Sequence, residues 1–201
     1  MAPTLTEELA GAAARLVVEE GMEYGAAKRK AARVLGRHSV RPAELPSNEA
    51  IEEEVRAYIE LFCADTQPAE LRALRGLALN WMERLAEFRP HLTGAAWRGT
   101  ATRLSNLHVD LYCDDSKAAE IALLNRGIDF DVDSRARGNG VEPMDVLMIS
   151  APCRELNEEV TLLLHVRDLD ELRGALKPDA GGRTLRGDAT ALRRLLEADP
   201  S

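Results

Sequence analysis

The chain has 201 residues, a formal net charge of −8, 45% hydrophobic residues and 4% aromatic residues. This length suits one domain with a helical extension or two small domains, and the core must be built mainly from Leu, Ala, Val and Ile. The acidic balance argues against bulk attraction to nucleic acid. No apolar run reaches the roughly 20 residues of a membrane-spanning helix, and the start lacks the features of a signal peptide, so we expect a cytoplasmic protein without disulfides.

Residues 1–90 carry a helical pattern. Thr4 and Glu7 form a capping-box sequence before a run that is rich in Ala, Leu and Glu. Later in the segment, apolar residues recur at three- and four-residue steps, and Gly36 and prolines interrupt the pattern. These signals predict four helices, over about 5–20, 25–35, 49–63 and 68–88. The fourth is apolar on most of its surface, which predicts a central position.

Pro90 marks a change to short β-like segments. Strands are predicted over 91–96, 107–113, 128–132, 142–150 and 159–166, and helices over 117–126, 168–176 and 188–198. The pattern predicts an α+β protein with two regions: an N-terminal helical region, residues 1–90, and a domain of residues 91–201 with a small mixed β-sheet and flanking helices.

The segment after Pro90 also holds the densest set of chemically capable residues. Gly94 and Gly99 suggest a turn that carries Arg98, and the next predicted strand carries His108 and Asp110. Because side chains of a strand alternate between its faces, the histidine and the aspartate project from the same face. Two metal-competent groups beside a glycine-rich turn predict a site for a cation and a phosphate.

This segment resembles the signature of the nucleotidyltransferase superfamily, in which a Gly-Ser pair precedes a strand with two acidic residues one apart. Three stretches carry the resemblance: Gly94-Ala95, Arg98-Gly99-Thr100-Ala101 and Leu107-His108-Val109-Asp110-Leu111. They stand where the family has its Gly-Ser pair, an Arg-Gly-x-Ala turn and the acid-x-acid strand. The resemblance covers about 75 residues, 92–166, and implies a nucleotidyltransferase-like fold.

The family's carboxylates hold divalent cations that carry a triphosphate and activate a hydroxyl. The resemblance therefore implies transfer of a nucleotidyl group from an NTP to an acceptor hydroxyl with magnesium or manganese. Asp110 and Asp145 would be the catalytic carboxylates and would bind the metal together with His108. The nucleotide would be bound by the turn residues Gly94, Ala95, Arg98 and Gly99.

Two departures from the signature leave a second function open. Ala95 lacks the hydroxyl that the family's serine offers to a phosphate, and His108 replaces the first acid. Magnesium prefers oxygen ligands, whereas imidazole suits zinc, iron or nickel better and manganese tolerates it. The alternative is a catalytically degraded module that binds a nucleotide or a protein partner without turnover.

Each candidate also has an ordinary structural interpretation. The two glycines could simply form turns, His108 could be a partly buried strand residue, and Asp145 could lie on the surface. Asp110 is the most informative, because a carboxylate inside an apolar strand is costly without compensation. That cost favours either a cation or an arginine partner. Asp114 and Asp115 are expected to cap the following helix.

A basic run, Lys28-Arg29-Lys30 with Arg33 and Arg37, is the remaining feature of note. It could contact a polyanion, or it could be a solvated face balanced by nearby glutamates. A protein partner that binds through the helical region is also open. Loose similarity to an uncharacterised bacterial protein family, in 24–32, 45–48 and 92–95, brings no reaction with it. P-loop, GxSxG, HExxH and GxGxxG patterns are absent from the sequence.

Overall fold

The computed structural model describes residues 3–36, 40–135, 144–179 and 181–198. The chain divides into two compact units. The first comprises Met1–Pro68 with Thr102–Ser105, and the second comprises Ala69–Ala101 with Asn106–Ser201. Within the described ranges, no helix combines the length and the hydropathy that a membrane crossing requires.

The first unit is built from three helices: α1 (Leu5–Glu20), α2 (Tyr24–Val34) and α3 (Asn48–Phe62). The predicted capping box is present, since Thr4 and Glu7 each bind the other's backbone amide. α1 ends at Gly21 in the left-handed conformation, with φ of 66°. The core of this unit contains many alanines, whose small side chains let helices approach closely; its fully buried members include Leu9, Ala13, Ala27, Ala31, Ile51 and Val55.

The second unit contains most of α4 (Gln67–Arg84), which packs into the same core as the sheet. Leu74, Met82 and Leu85 are buried there, as expected of a helix that is apolar on most of its surface. The change of composition at Pro90 and the division of the compact units near Pro68 are therefore different boundaries.

The sheet has six strands in the order β3-β4-β5-β2-β1-β6. Only the β2–β5 pair among the described strands is parallel, and the other pairs are antiparallel. The strands are β1 (His91–Thr93), β2 (Leu107–Cys113), β3 (Asp131–Arg135), β4 (Met144–Cys153), β5 (Glu158–Asp168) and β6 (Arg186–Gly187). Helices flank this mixed sheet: α5 (Gly94–Arg98), α6 (Ala118–Asn125), α7 (Leu172–Ala175) and α8 (Ala189–Ala198). The predicted α+β class is confirmed.

The two faces of the sheet differ in chemistry. One face packs on the helices and is apolar, with Leu107, Val109 and Leu111 of β2 in the main core of the second unit. Because side chains alternate, the other face of β2 carries His108, Asp110 and Tyr112. The register places His108 beside Leu163, Asp110 beside His165 and Tyr112 beside Arg167. Polar residues of two neighbouring strands therefore meet on one face.

Two predicted strands have other bounds in the structure, and one observed strand was not predicted. The first strand stops at Thr93, because Gly94 takes a φ of 71° and begins the helical turn α5. β3 begins at Asp131 and continues to Arg135, since its pairing with β4 sets its bounds. β6, which pairs with β1, was not predicted; it has two residues, too few for an alternating pattern to show.

Candidate functional site

Asp110 lies at the centre of the polar face and is fully buried. Arg186 Nη1 donates to its Oδ2 at 2.6 Å, and Arg167 Nε lies 2.9 Å from its Oδ1. The second contact is an ion pair without hydrogen-bond geometry, since neither atom has a hydrogen-bond partner. Of the two partners that the sequence allows for this carboxylate, a cation or an arginine, the structure contains arginines.

Tyr112 completes what we call the Asp110 cluster: Asp110, Tyr112, Arg167 and Arg186. The Tyr112 hydroxyl accepts a second hydrogen bond from Arg186 Nη1 at 2.9 Å. Burial raises the pKa of Tyr112 above its ordinary value, so the hydroxyl remains neutral near pH 7. Burial acts to lower the pKa of Arg167, but the charges of Asp110 and Glu171 and the interaction with the Asp110 carboxylate together outweigh it, and the pKa is raised. Arginine side chains stay protonated at neutral pH, so the cluster contains two positive charges and one negative charge.

Two histidines lie against each other on the same face. His108 Nδ1 is 3.0 Å from His165 Nε2, and the rings stack at 13° between their planes. His165 is buried and stands opposite Asp110 in the β2–β5 register. The sequence prediction missed His165, although a histidine within the apolar run of β5 is the same kind of signal that identified Asp110.

The turn after β1 is built close to these histidines. A Cβ atom on Gly94 would lie 3.3 Å from His108 Cδ2, so the glycine allows both its positive φ and this close approach. α5 then ends at Gly99, with φ of 91°. Buried Arg75 holds the turn from α4: its Nε donates to the Ala96 carbonyl at 2.9 Å and its Nη2 to that of Trp97 at 3.2 Å.

The four residues predicted to bind a nucleotide therefore share one short structure. Gly94, Ala95 and Arg98 lie within α5, and Gly99 ends it. Gly94 lies close to His108, since a Cβ atom on the glycine would be 3.3 Å from the imidazole ring. This arrangement brings the predicted turn next to the predicted strand residues. Whether the turn binds a nucleotide stays a prediction.

Asp145 does not join His108 and Asp110. In β4, Asp145 is on the same face as Leu147 and Ile149, which are two and four residues further on and belong to the apolar core. It therefore lies on the opposite face of the sheet from Asp110. Its Oδ2 is 3.4 Å from Lys117 Nζ at the start of α6. The choice of Asp145 as a third carboxylate depended on the register, which the sequence does not reveal.

The described residues do not fit the predicted magnesium or manganese site. They contain no group of three or more His, Cys, Asp or Glu side chains arranged to hold a metal. These hard cations require several oxygen ligands, whereas both oxygens of Asp110 face guanidinium groups and His108 Nδ1 faces another imidazole.

Outside this site, the other polar features have ordinary roles. Lys30 of the basic run pairs with Glu20, as expected for a balanced face, while Arg37 lies outside the described residues. Asp115 accepts a hydrogen bond from the Lys117 amide at 2.9 Å, just before α6. All three cysteines are free thiols, and burial raises the pKa of Cys113.

Comparisons with known proteins include a distant likeness to a solved structure. No protein-family model matches the chain, and no curated protein matches it. Among solved structures, the chain is similar to Cid1 in complex with the UTP analog UMPNPP, a nucleotidyltransferase-fold protein. The identity is 14% and the TM-score 0.36, over 58% of this chain and 36% of that one. These values are low, and we base the functional proposal on the residues of the site.

The contact between Gly94 and His108 makes a testable prediction for stability. Gly94→Ala should lower the free energy of unfolding by about 2 kcal/mol, from the positive φ and the crowding of His108 together. Gly127→Ala is the matched control, because Gly127 has a φ of 65° and open space around its Cβ position; it should cost about 1 kcal/mol. Urea denaturation measures both. Equal losses would show that the histidine ring does not pack on the turn.

Proposed function

We propose that the second unit is a nucleotidyltransferase-like module that binds a nucleotide without transferring it. The observation that carries this proposal is the burial of Asp110 and its pairing with arginines. The carboxylate at the predicted metal position is fully buried between Arg167 and Arg186. The nucleotide is proposed from the signature-like turn and strand, which the structure brings into contact through Gly94 and His108.

Nucleotidyl transfer assisted by metal ions needs carboxylates that hold the cations and a group that activates the attacking hydroxyl. Asp110 is a weak candidate for either role, because both of its oxygens already face guanidinium groups rather than an open site for a cation or a hydroxyl. Arginine cannot take over as a base, since it stays protonated. Asp145 is on the other face of the sheet and is paired with Lys117.

The test compares binding with turnover. Thermal unfolding is followed with ATP, GTP, CTP and UTP, each with magnesium, manganese or EDTA, and pyrophosphate release is measured in the same mixtures. We expect at least one nucleotide to stabilise the protein, by about 2.7 kcal/mol at a hundredfold excess over its Kd, with no pyrophosphate released.

Two results would contradict the proposal. Metal-dependent pyrophosphate release that disappears in an Asp110→Asn protein shown by circular dichroism to be folded, but persists in Asp145→Asn, would show an enzyme that uses Asp110. If none of the four nucleotides stabilises the protein under any condition, the proposal that it binds a nucleotide is wrong, and a protein partner is favoured instead. Asp145→Asn is a suitable comparison, because Asp145 belongs to the same sheet but to its opposite face.

A further inference from the structure

The Asp110 cluster places fixed positive charge where the resemblance would place a metal ion. Two guanidinium groups face one carboxylate, and the fourth member of the cluster, Tyr112, is neutral because burial raises its pKa. Glu171 lies 3.4 Å from Arg167 Nη1 and is a second carboxylate partner of that arginine. Among the described residues, Arg186 pairs with one carboxylate, Asp110, and shares it with Arg167.

Arg186 is only partly enclosed by the Asp110 cluster. Its Nη1 serves both Asp110 and Tyr112, while its buried Nε has no hydrogen-bond partner among the residues that the structure describes. The side chain remains 19% exposed, so a ligand can reach part of it. A guanidinium group offers several N–H donors in a planar fork that matches the oxygens of a phosphate.

The position of Arg186 is fixed by the neighbouring turn. Arg186 pairs with Thr93 in the β1–β6 register, and Thr93 is the residue directly before Gly94. Thr93 Oγ1 donates to the Leu185 carbonyl at 3.0 Å, and Trp97 Nε1 donates to that of Thr184 at 2.8 Å. These two bonds hold the residues before Arg186 against β1 and α5. The arginine thus lies beside the turn to which the resemblance assigns phosphate binding.

We infer that the chain binds the phosphates of its nucleotide without a divalent metal, and that Arg186 makes the main charged contact. The guanidinium group supplies the positive charge that a metal ion would otherwise supply. This inference rests on the proposed nucleotide-binding function. It adds that the positive charge on which the phosphates bind comes from Arg186. The affinity should therefore depend on this side chain and not on a divalent metal.

The experiment is calorimetric titration of the full chain with inorganic triphosphate and with the four ribonucleoside triphosphates, in EDTA and in magnesium. Binding in EDTA should be at least as tight as in magnesium. Arg186→Gln should weaken it by about tenfold or more, as expected for loss of a hydrogen bond to a charged group. Arg183→Gln is the matched control, since Arg183 is an exposed arginine three positions away in the sequence, and it should leave the Kd unchanged.

Arg186→Lys covers the case in which Arg186→Gln does not fold. Lysine keeps the charge beside Asp110 but not the planar fork, so this variant should fold and still bind more weakly than the original chain. Unchanged affinity in a folded Arg186→Gln, or in Arg186→Lys where Arg186→Gln does not fold, would overturn the role of Arg186.

The comparison of EDTA with magnesium distinguishes the inference about Arg186 from the proposed nucleotide-binding function. Binding that requires magnesium and is abolished by EDTA would overturn this inference and leave the nucleotide-binding function in place. Absence of binding by every probe in both buffers would contradict the nucleotide-binding function itself. Tight binding in EDTA that depends on Arg186 and not on Arg183 would support both.

Discussion

Asp110→Asn is expected to lower the free energy of unfolding by about 3–5 kcal/mol, the range for breaking a buried ion pair by removing one partner. The neutral amide leaves the guanidinium groups of Arg167 and Arg186 without their counter-charge, and both side chains are largely buried. Urea denaturation at neutral pH, followed by circular dichroism, measures the loss. The protein should still contain its helices before the transition.

Asp145→Asn is the control for this experiment. Asp145 pairs with Lys117 at 3.4 Å, and the lysine side chain is 55% exposed, so solvent screens the pair and the loss should be far smaller than that of Asp110→Asn. The sign of the Asp110 effect is the decisive result. A carboxylate kept for a metal ion would be relieved of strain by neutralisation in metal-free buffer, so a stable Asp110→Asn protein would contradict the ion-pair interpretation.

The sequence predicts the need for a partner at Asp110 but not its identity. A charge in the middle of an apolar strand requires compensation wherever the strand lies. The compensating arginines come from β5 and β6, far along the chain, and the pairing of those strands with β2 and β1 brings them close. β6 gives no sequence signal of its own, so Arg186 could not be assigned in advance.

Local signals predicted more of the fold than long-range ones. The capping box at Thr4 and the bounds of α1 depend on neighbouring residues, and both form as predicted. Asp145 shows the opposite case, since its side of the sheet depends on register. The strand at 91–96 failed because Gly94 turns the chain into α5, and the sequence alone does not give the sign of a glycine's φ.

The packing of α5 against β6 gives the second large expected effect on stability. A Cβ atom on Gly187 would lie 2.0, 2.4 and 2.7 Å from three atoms of the Trp97 ring, closer than packed atoms can approach. The ring cannot simply move aside, because Trp97 Nε1 is bonded to the Thr184 carbonyl. Gly187→Ala should therefore cost about 3 kcal/mol of stability, at the upper end for overpacking, as measured by urea denaturation.

Gly76→Ala is the opposite test of the same substitution. Gly76 lies inside α4 with nothing within 4 Å of its Cβ position, so alanine should stabilise the helix by about 0.5–1 kcal/mol.

Gly187→Ala should also weaken triphosphate binding, because displacement of β6 moves the adjacent Arg186 away from Asp110 and from the turn. Loss of stability with unchanged affinity would mean that Arg186 does not hold the ligand. Loss of both would connect the packing of Trp97 on Gly187 to binding through the position of one arginine.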